Sequence, residues 1–498
     1  MTTINWAAKA TEIRATLDGR AFINGVRVNA IDGATFDCIS PLDGRKLVDV
    51  ARCTVADVNE AVKISRAAFE DGRWAHMSPK KRKEILIKFA DLIVANKHEL
   101  AVTETLDMGK PVANALAVDV NAAQNTIRWF GEAIDKIYDE VAPTPRDSLA
   151  LITREAVGVV AAVVPWNYPL LMTSWKIAPA LAMGNSVILK PSEKSPLTAL
   201  RLAELALEAG IPAGVFNVVT GYGHEAGAAL AEHMDVDCIA FTGSTAVGKR
   251  IMSAAANSNL KRAWMELGGK SPNIVFADAP NLDEAAAAAA GNVFYNQGES
   301  CNAPTRLYME ASIADEFMAK VAAHVAAYVP ADPLDGATTM GAIVDDIQMN
   351  SVLKYIESGK TEGAKLVAGG ARVLVETGGY FIEPTIFIAK PHMTIVREEI
   401  FGPVLAAMTF ETEAEAIALA NDTEYGLQAG LWTADVSRAL RVARAIKAGT
   451  VHVNQYNDDD ITVPFGGYKQ SGNGRDKSLH ALDKYAELKT TWIKIDNA

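Results

Sequence analysis

The apolar positions of this chain change period several times, and each change predicts a different kind of element. Residues 18 to 53 alternate in short apolar runs broken at Asp18-Gly19, Asn24-Gly25, Asp32-Gly33 and Asp43-Gly44, turn dipeptides that punctuate short strands. From Val55 the spacing becomes helical, through Val58, Ala61, Val62 and Ile64 and again through Ile85, Phe89, Leu92 and Ile93. Pro143 and Pro145 then interrupt, between Ile137-Tyr138 and Leu149 to Thr153, which predicts an excursion that returns to the body as extended chain. From Glu155 to Asp278 short apolar runs alternate with helical windows: Val157 to Val164, Ser186 to Leu189, Val215 to Val219, Cys238 to Phe241 and Ile274 to Phe276. Strands at this spacing, each followed by a helix, predict a parallel sheet covered on both faces, a doubly wound nucleotide-binding architecture of the α/β class. Residues 270 to 470 repeat the alternation less regularly, at Ala364 to Val367, Thr385 to Phe387 and Gly449 to Val453, and predict a second α/β domain. The tail, Leu488 to Ile495, alternates like an edge strand able to pair with another subunit.

Composition narrows the classes. A chain of 498 residues, 49% hydrophobic, buries a large core and divides into about two or three domains. Its net charge of -12 and the lack of clustered Lys and Arg argue against nucleic acid. The best apolar stretch, Val157 to Val164, stops at Pro165, well short of the ~18 residues of a membrane span, so no membrane is expected. Met1 to Trp6 lacks a charged leader followed by an apolar core, and a cytoplasmic location is the expectation. The eight histidines show no HExxH or similar grouping, and no metal is expected. The four cysteines, Cys38, Cys53, Cys238 and Cys301, have no metal-ligand or redox-motif spacing and are expected to be reduced thiols.

Three of these thiols read as small buried hydrophobes. Cys301 differs, because it follows the alanine-rich helical run Asp283 to Ala290 and the stretch Phe294 to Ser300, then leads through Asn302-Ala303-Pro304 into the strand-like Leu307-Tyr308-Met309. A cysteine where helix gives way to loop and strand is a candidate nucleophile. Glu266, beside Gly268 and Gly269, is the candidate base, and the glycines let backbone and ligand approach closely. A thiol and a carboxylate in one pocket can form an acyl intermediate and activate water to break it.

Gly243-Ser244-Thr245-Ala246-Val247-Gly248-Lys249 follows a strand and opens a helix, which offers free N–H groups to phosphate. It nearly matches the Walker pattern, but Arg250 stands where a Mg²⁺-binding hydroxyl is required, so ATP hydrolysis is disfavoured. Gly221-Tyr222-Gly223 with Gly227 resembles GxGxxG with one residue too many. Either cluster alone equally fits a plain βα turn. Lys190-Pro191-Ser192-Glu193 ends another strand of the same sheet, where a carboxylate would bind ribose hydroxyls and repel a 2′-phosphate.

Taken together, Pro165-Trp166-Asn167-Tyr168-Pro169, the Lys190 to Glu193 loop, Phe241-Thr242-Gly243-Ser244, the Glu266 and Cys301 stretches, Glu399-Ile400-Phe401-Gly402-Pro403 and Pro464 to Lys469 resemble the NAD(P)-dependent aldehyde dehydrogenase superfamily, over essentially the whole chain. The run Lys469 to His480 most resembles bacterial γ-glutamyl-γ-aminobutyraldehyde and 4-guanidinobutyraldehyde dehydrogenases of polyamine and arginine breakdown.

The resemblance implies Cys301 as nucleophile, Glu266 as general base, and an oxyanion hole made by the Asn167 amide and the Cys301 backbone N–H. It implies NAD, with NADP as the alternative, held by Trp166, by Lys190 and Glu193 on the adenosine ribose, Gly243 and Ser244 near the pyrophosphate, Glu399 on the nicotinamide ribose and Phe401 beside the nicotinamide. Domains at 1–137 with 157–267 (NAD-binding) and 268–470 (catalytic) are implied, with a small β oligomerisation arm from 138–156 and 484–498 and a homo-oligomer, tetramer or dimer.

Tyr168, Trp175, Tyr456 and Phe465 hold the family positions of an aromatic substrate tunnel, although each equally suits core packing. Asn457-Asp458-Asp459-Asp460 is either a solvated loop or, through Asp459, an attractor for a cationic aldehyde tail. The expected substrate is thus an ω-amino, guanidino or γ-glutamylamino aldehyde. A broad-range or aromatic dehydrogenase, acting for example on indole-3-acetaldehyde or 3-hydroxypropionaldehyde, is one alternative, and a catalytically silent NAD-binding protein on the same scaffold is the other. A CoA-acylating enzyme is disfavoured by Glu266. Glu299 and Pro304 depart from the Gln and small residues of many relatives, and an acidic Glu299 near the thiolate is expected to raise its pKa.

Overall fold

The computed structural model describes residues 4–456 and 460–496. Two seven-stranded sheets dominate it. In the first, the strands Arg262–Glu266, Cys238–Thr242, Val159–Val163, Ser186–Lys190 and Phe216–Val218 lie side by side in that order, all parallel. The hairpin Ala21–Ile23 and Val26–Val28 extends the sheet antiparallel beyond Phe216–Val218. Every residue of Val159–Val163 is buried because both faces are covered. Val160 and Ala162 pack on one side with Leu170, Leu181, Leu200 and Phe89. Val159, Ala161 and Val163 pack on the other with Val58, Val62, Leu230 and Ile251.

Chain direction reverses at one point in this order. The chain steps outward from Val159–Val163 through Ser186–Lys190 to Phe216–Val218, then returns to lay Cys238–Thr242 on the opposite flank of Val159–Val163. That is a topological switch point, and ligands bind in the crevice beyond the carboxyl ends of the strands flanking it. The segments leaving those two strands are Pro165 to Tyr168 and Gly243-Ser244.

The strand Arg262–Glu266 escapes sequence expectation because its first three residues, Arg262, Ala263 and Trp264, are only half-buried and the apolar pattern is weak. The run expected at Ile274 to Phe276 instead belongs to the second sheet, as the strand Pro272–Val275. Around it lie Arg306–Glu310, Val404–Phe410 and Thr385–Ile388 on one side and Gln428–Trp432 and Thr450–Val453 on the other, all parallel. Lys365–Ala368 adds an antiparallel edge. This sheet too is covered on both faces, by Ile356, Ile395 and Val442 on one and by Ala286, Val293 and Phe317 on the other.

A third, three-stranded sheet is formed by Glu140–Ala142, Ser148–Ala156 and Ala486–Lys494. The tail pairs over its whole length with Ser148–Ala156 of the same chain, from Ala486 opposite Ala156 to Lys494 opposite Ser148. Its other edge stays open and carries Leu488, Trp492 and Ile493 exposed. Among the described residues, no helix is long and apolar enough to cross a membrane.

Candidate active site

The carboxyl end of the first sheet meets the amino end of the second in a cavity of about 680 Å³. Cys301, Glu266, Asn167, Trp166, Gly243, Ser244, Glu399 and Phe401 all line it, with Tyr168, Trp175 and Phe465. Residues from across the sequence thus arrive at one place.

The loop that carries Cys301 is over-determined. The helix Leu282–Phe294 starts at Asn281, whose side chain accepts from the N–H groups of Asp283 and Glu284, and buries Ala285, Ala286, Ala289 and Ala290. Beyond Phe294 three successive residues adopt left-handed backbone: Asn296 (φ 50°), Gln297 (φ 57°) and Gly298 (φ 74°). Two of these are not glycine, and such strain persists only where the surroundings enforce it. Here Asn296 Nδ2 donates to the carbonyls of Asn167 (3.1 Å) and Glu299 (3.2 Å). Gln297 Oε1 accepts from Gly341 N at 3.0 Å, and Glu299 Oε1 accepts from Val344 N at 3.0 Å. A Cβ on Gly298 would lie 2.3 Å from the Gly402 backbone, which makes glycine obligatory there. The result is that Cys301 alone of the four cysteines is partly exposed, while Cys38, Cys53 and Cys238 are buried as expected.

Asn167 Nδ2 donates to the Glu299 carbonyl at 2.8 Å. One amide hydrogen is thereby fixed, which orients the side chain and leaves the second for another acceptor in the cavity.

Glu266 ends its strand facing the cleft, 3% exposed, and no group among the described residues hydrogen-bonds either carboxylate oxygen. Burial pushes its pKa up to about 8, with Lys176 pulling down and Asp476 and Glu399 pushing up. These neighbours belong to a buried charge cluster that the sequence did not disclose. Lys176 Nζ lies 2.5 Å from Asp476, and Lys484 bonds the other Asp476 oxygen. Burial also raises the Cys301 thiol well above its ordinary value, followed by the charges of Glu266 and Glu399, while the N–H groups of Cys301 and Asn302 oppose the shift.

Glu299 has no place among those causes, contrary to the expectation that it acts on the thiolate. Its carboxyl turns toward Val344, and burial raises its pKa well above the ordinary carboxylate value.

The side of the cleft beyond Thr242 is built from glycines and one helix start. Ser244 caps the helix Thr245–Asn257, its side chain accepting from Val247 N. Gly243 N donates to the Glu266 carbonyl, so the glycine turn and Glu266 are braced together. Glu399 accepts from Gly269 N at 2.9 Å, and a Cβ on Gly268 would lie 2.1 Å from the Glu399 carboxylate. Trp166 and Phe401 meet edge to face at 5.1 Å. At the end of the next strand Lys190 Nζ pairs with Glu193 at 2.9 Å. Burial opposes the Glu193 charge, but Lys190 outweighs it and holds that carboxyl below its usual range. A helix N-terminus, a carboxylate and an aromatic pair spread along one switch-point crevice fit a dinucleotide.

One of the expected substrate residues falls elsewhere. Tyr456 does not line the cavity: it is buried behind the Cys301 loop, its hydroxyl donating to the Asn302 carbonyl at 2.7 Å. Asp459 lies outside the described residues. Tyr168 does face the cavity, with its hydroxyl 2.6 Å from Ser300 Oγ and the Lys110 ammonium 4.0 Å from its ring centre. Trp175 and Phe465 lie 5.1 Å apart on the same wall. The wall also includes Lys477, a residue whose place no sequence period marked.

A partly exposed thiol and a buried carboxyl thus share a cavity with a crevice shaped for a dinucleotide. Residues 28–491 match the model of the aldehyde dehydrogenase family, and the chain belongs to that family. It is 54% identical over 492 residues to the NADP/NAD-dependent aldehyde dehydrogenase PuuC of Escherichia coli, covering 99% of this chain and 98% of that one. Among solved structures, γ-glutamyl-γ-aminobutyraldehyde dehydrogenase of Burkholderia cenocepacia superposes with a TM-score of 0.97 at 58% identity over 99% of both chains. Indole-3-acetaldehyde dehydrogenase AldA of P. syringae, solved with NAD⁺ and IAA, gives 0.98 at 57% identity, covering 99% of this chain and 100% of that one.

Proposed function

We propose that the protein oxidises an aldehyde to its carboxylic acid by covalent capture on Cys301. The observation that carries this is the convergence of a partly exposed thiol and a buried carboxyl without a hydrogen-bond partner among the described residues on one cavity that opens onto a dinucleotide crevice. NAD held in that crevice supplies the hydride acceptor.

The chain's residues do the rest. Cys301 first releases its thiol proton to water in the cavity; the thiolate then adds to the carbonyl carbon, and the developing oxyanion takes hydrogen bonds from the second Asn167 amide hydrogen and the Cys301 backbone N–H. Once the captured carbon is oxidised, it is a thioester on Cys301. Glu266 removes a proton from water, the water oxygen bonds to the acyl carbon, and the C–S bond breaks to release the acid and restore the thiolate. Trp166, Lys190, Glu193, Gly243, Ser244, Glu399 and Phe401 hold the cofactor. Trp175, Tyr168 and Phe465 form the apolar approach to the thiol.

Its substrate is an ω-amino, guanidino or γ-glutamylamino aldehyde, a reading supported by the similarity to the Burkholderia enzyme. The aromatic wall of Tyr168, Trp175 and Phe465, together with the similarity to AldA, favours a second reading in which an aromatic aldehyde is accepted. The open edge of the Ala486–Lys494 strand supports assembly into a homo-oligomer. The enzyme acts in the cytoplasm, the compartment where its four thiols stay reduced.

The test is NADH formation across 4-guanidinobutyraldehyde, 4-aminobutyraldehyde, its γ-glutamyl conjugate, indole-3-acetaldehyde and hexanal, with Cys301→Ala as control. A Cys301-dependent rate that favours the first three supports the reading. Preference for the indole compound selects the aromatic one, and no rate with any aldehyde refutes both.

A further inference from the structure

A closed circuit of contacts crosses from one large sheet domain to the other beside the crevice. Lys194, just beyond the strand Ser186–Lys190 of the first sheet, places its ammonium 2.6 Å from the carboxylate of Asp345 in the second domain. Asp345 caps the helix Asp346–Thr361, its other oxygen accepting from Gln348 N at 2.7 Å. From the first turn of that helix the Gln348 side-chain amide donates to the carbonyls of Ile400 (3.2 Å) and Phe401 (2.7 Å). Phe401 needs this support, because its backbone is left-handed (φ 55°) although it is not glycine. Its ring meets Trp166 edge to face, and the Lys194 ammonium lies 5.3 Å from the Trp166 ring centre, which closes the circuit.

The aromatic pair is thus held from outside the cavity. Trp166, Phe401 and Gln348 line it, whereas Lys194 and Asp345 do not. The side chains of Lys194 and Asp345 are 24% and 22% exposed, a depth at which an ion pair is screened less than on the open surface. Met349, Val352 and Ile356 of the capped helix share one apolar cluster with Ile400, so a shift of the helix start is passed to the Phe401 segment.

We propose that Lys194 is a positioning residue for the nicotinamide half of the cofactor: by latching Asp345 it fixes the start of the Asp346–Thr361 helix and, through Gln348, the wall made by Trp166 and Phe401. This rests on the aldehyde dehydrogenase reading, in which those two aromatics hold NAD, and adds to it a residue outside the cavity wall. The latch acts on one half only. Lys190 and Glu193, assigned to the adenosine ribose, pair with each other without Lys194 or Asp345. Its loss therefore loosens the nicotinamide half and leaves the adenosine half in place.

The experiment is calorimetric titration of NAD, and of ADP-ribose, which lacks the nicotinamide, into the wild type, Lys194→Met, Lys194→Arg and Asp345→Asn. The expected result is a ratio of Kd for NAD to Kd for ADP-ribose that rises at least about threefold in Lys194→Met and in Asp345→Asn, the scale of one partly buried ion pair. Lys194→Arg keeps the charge and should hold the ratio below that rise. A smaller rise in the two neutral variants overturns the inference, whether neither ligand weakens or both weaken together, the latter placing Lys194 on the adenosine side. Asp345→Asn retains an oxygen to cap the helix and decides the matter by itself should Lys194→Met fail to fold. Combining Lys194→Met with Asp345→Asn should raise the ratio no further than either change alone, since both remove one contact, and additive losses overturn the latch. Failure of the underlying reading looks different, because the wild type would then bind neither NAD nor ADP-ribose.

Discussion

Replacing Glu266 with Gln separates the two halves of the proposed cycle. The substitution keeps the shape of the side chain and removes its ability to take a proton, so capture and oxidation on Cys301 persist while hydrolysis of the thioester slows. A positioned general base contributes about 10²- to 10⁴-fold, and Glu266→Gln should lose steady-state turnover on that scale. Stopped-flow NADH absorbance should still show a first-turnover burst approaching one equivalent per active site. The wild type adds a pH signature. Burial places the Glu266 carboxyl at about 8. Roughly a tenth is then ionised at pH 7 and about nine tenths at pH 9. The carboxylate is the active form, so hydrolysis-limited turnover should rise close to tenfold over that window and then level off. Glu266→Gln should lose this rise. Steady-state turnover within tenfold of wild type, or a slow phase without a burst, would refute the role.

Asn167→Ala should lower kcat about 10²- to 10³-fold, the usual cost of one oxyanion donor; a loss of only a few-fold would remove it from the site. Glu299→Gln should leave stability and activity close to wild type, because burial disfavours the charge of this carboxyl and a Gln amide oxygen can accept from Val344 N in its place. Glu299→Leu should cost about 1–3 kcal/mol in urea unfolding by leaving that N–H unpaired, and a match between the two variants would show the contact to be idle. Glu193→Gln should raise kcat/KM for NADP several-fold relative to NAD by removing a carboxylate held ionised by Lys190; an unchanged ratio would move discrimination to another residue.

How far the sequence reveals such a site depends on what kind of signal each residue leaves. Strands that are buried throughout, such as Val159–Val163 and Cys238–Thr242, are legible as apolar runs, and the glycine turn after the second is legible from its position. The thiol is legible because it interrupts a helix-to-strand transition, and the oxidising family is legible from motifs that recur along the whole chain. The strand Arg262–Glu266 is not, since its half-buried start blurs the period. Nor is Tyr456 distinguishable from Tyr168: both are aromatic and both are near Cys301, but one braces the loop from behind and the other faces the cavity.

Charge is the least legible of all. Asp476 and Lys477 are neighbours in one polar run, and composition treats them alike as surface. Strand-like pairing with Ile461 and Phe465 sends them in different directions, Asp476 into the Lys176–Lys484 cluster behind Glu266 and Lys477 onto the substrate wall. The cluster acts on the charge of Glu266, and the lysine joins the cavity wall. Chemistry common to the family is therefore written in motifs around Cys301 and Glu266. The opposite placement of Asp476 and Lys477 is a two-residue change of direction that only the folded backbone displays.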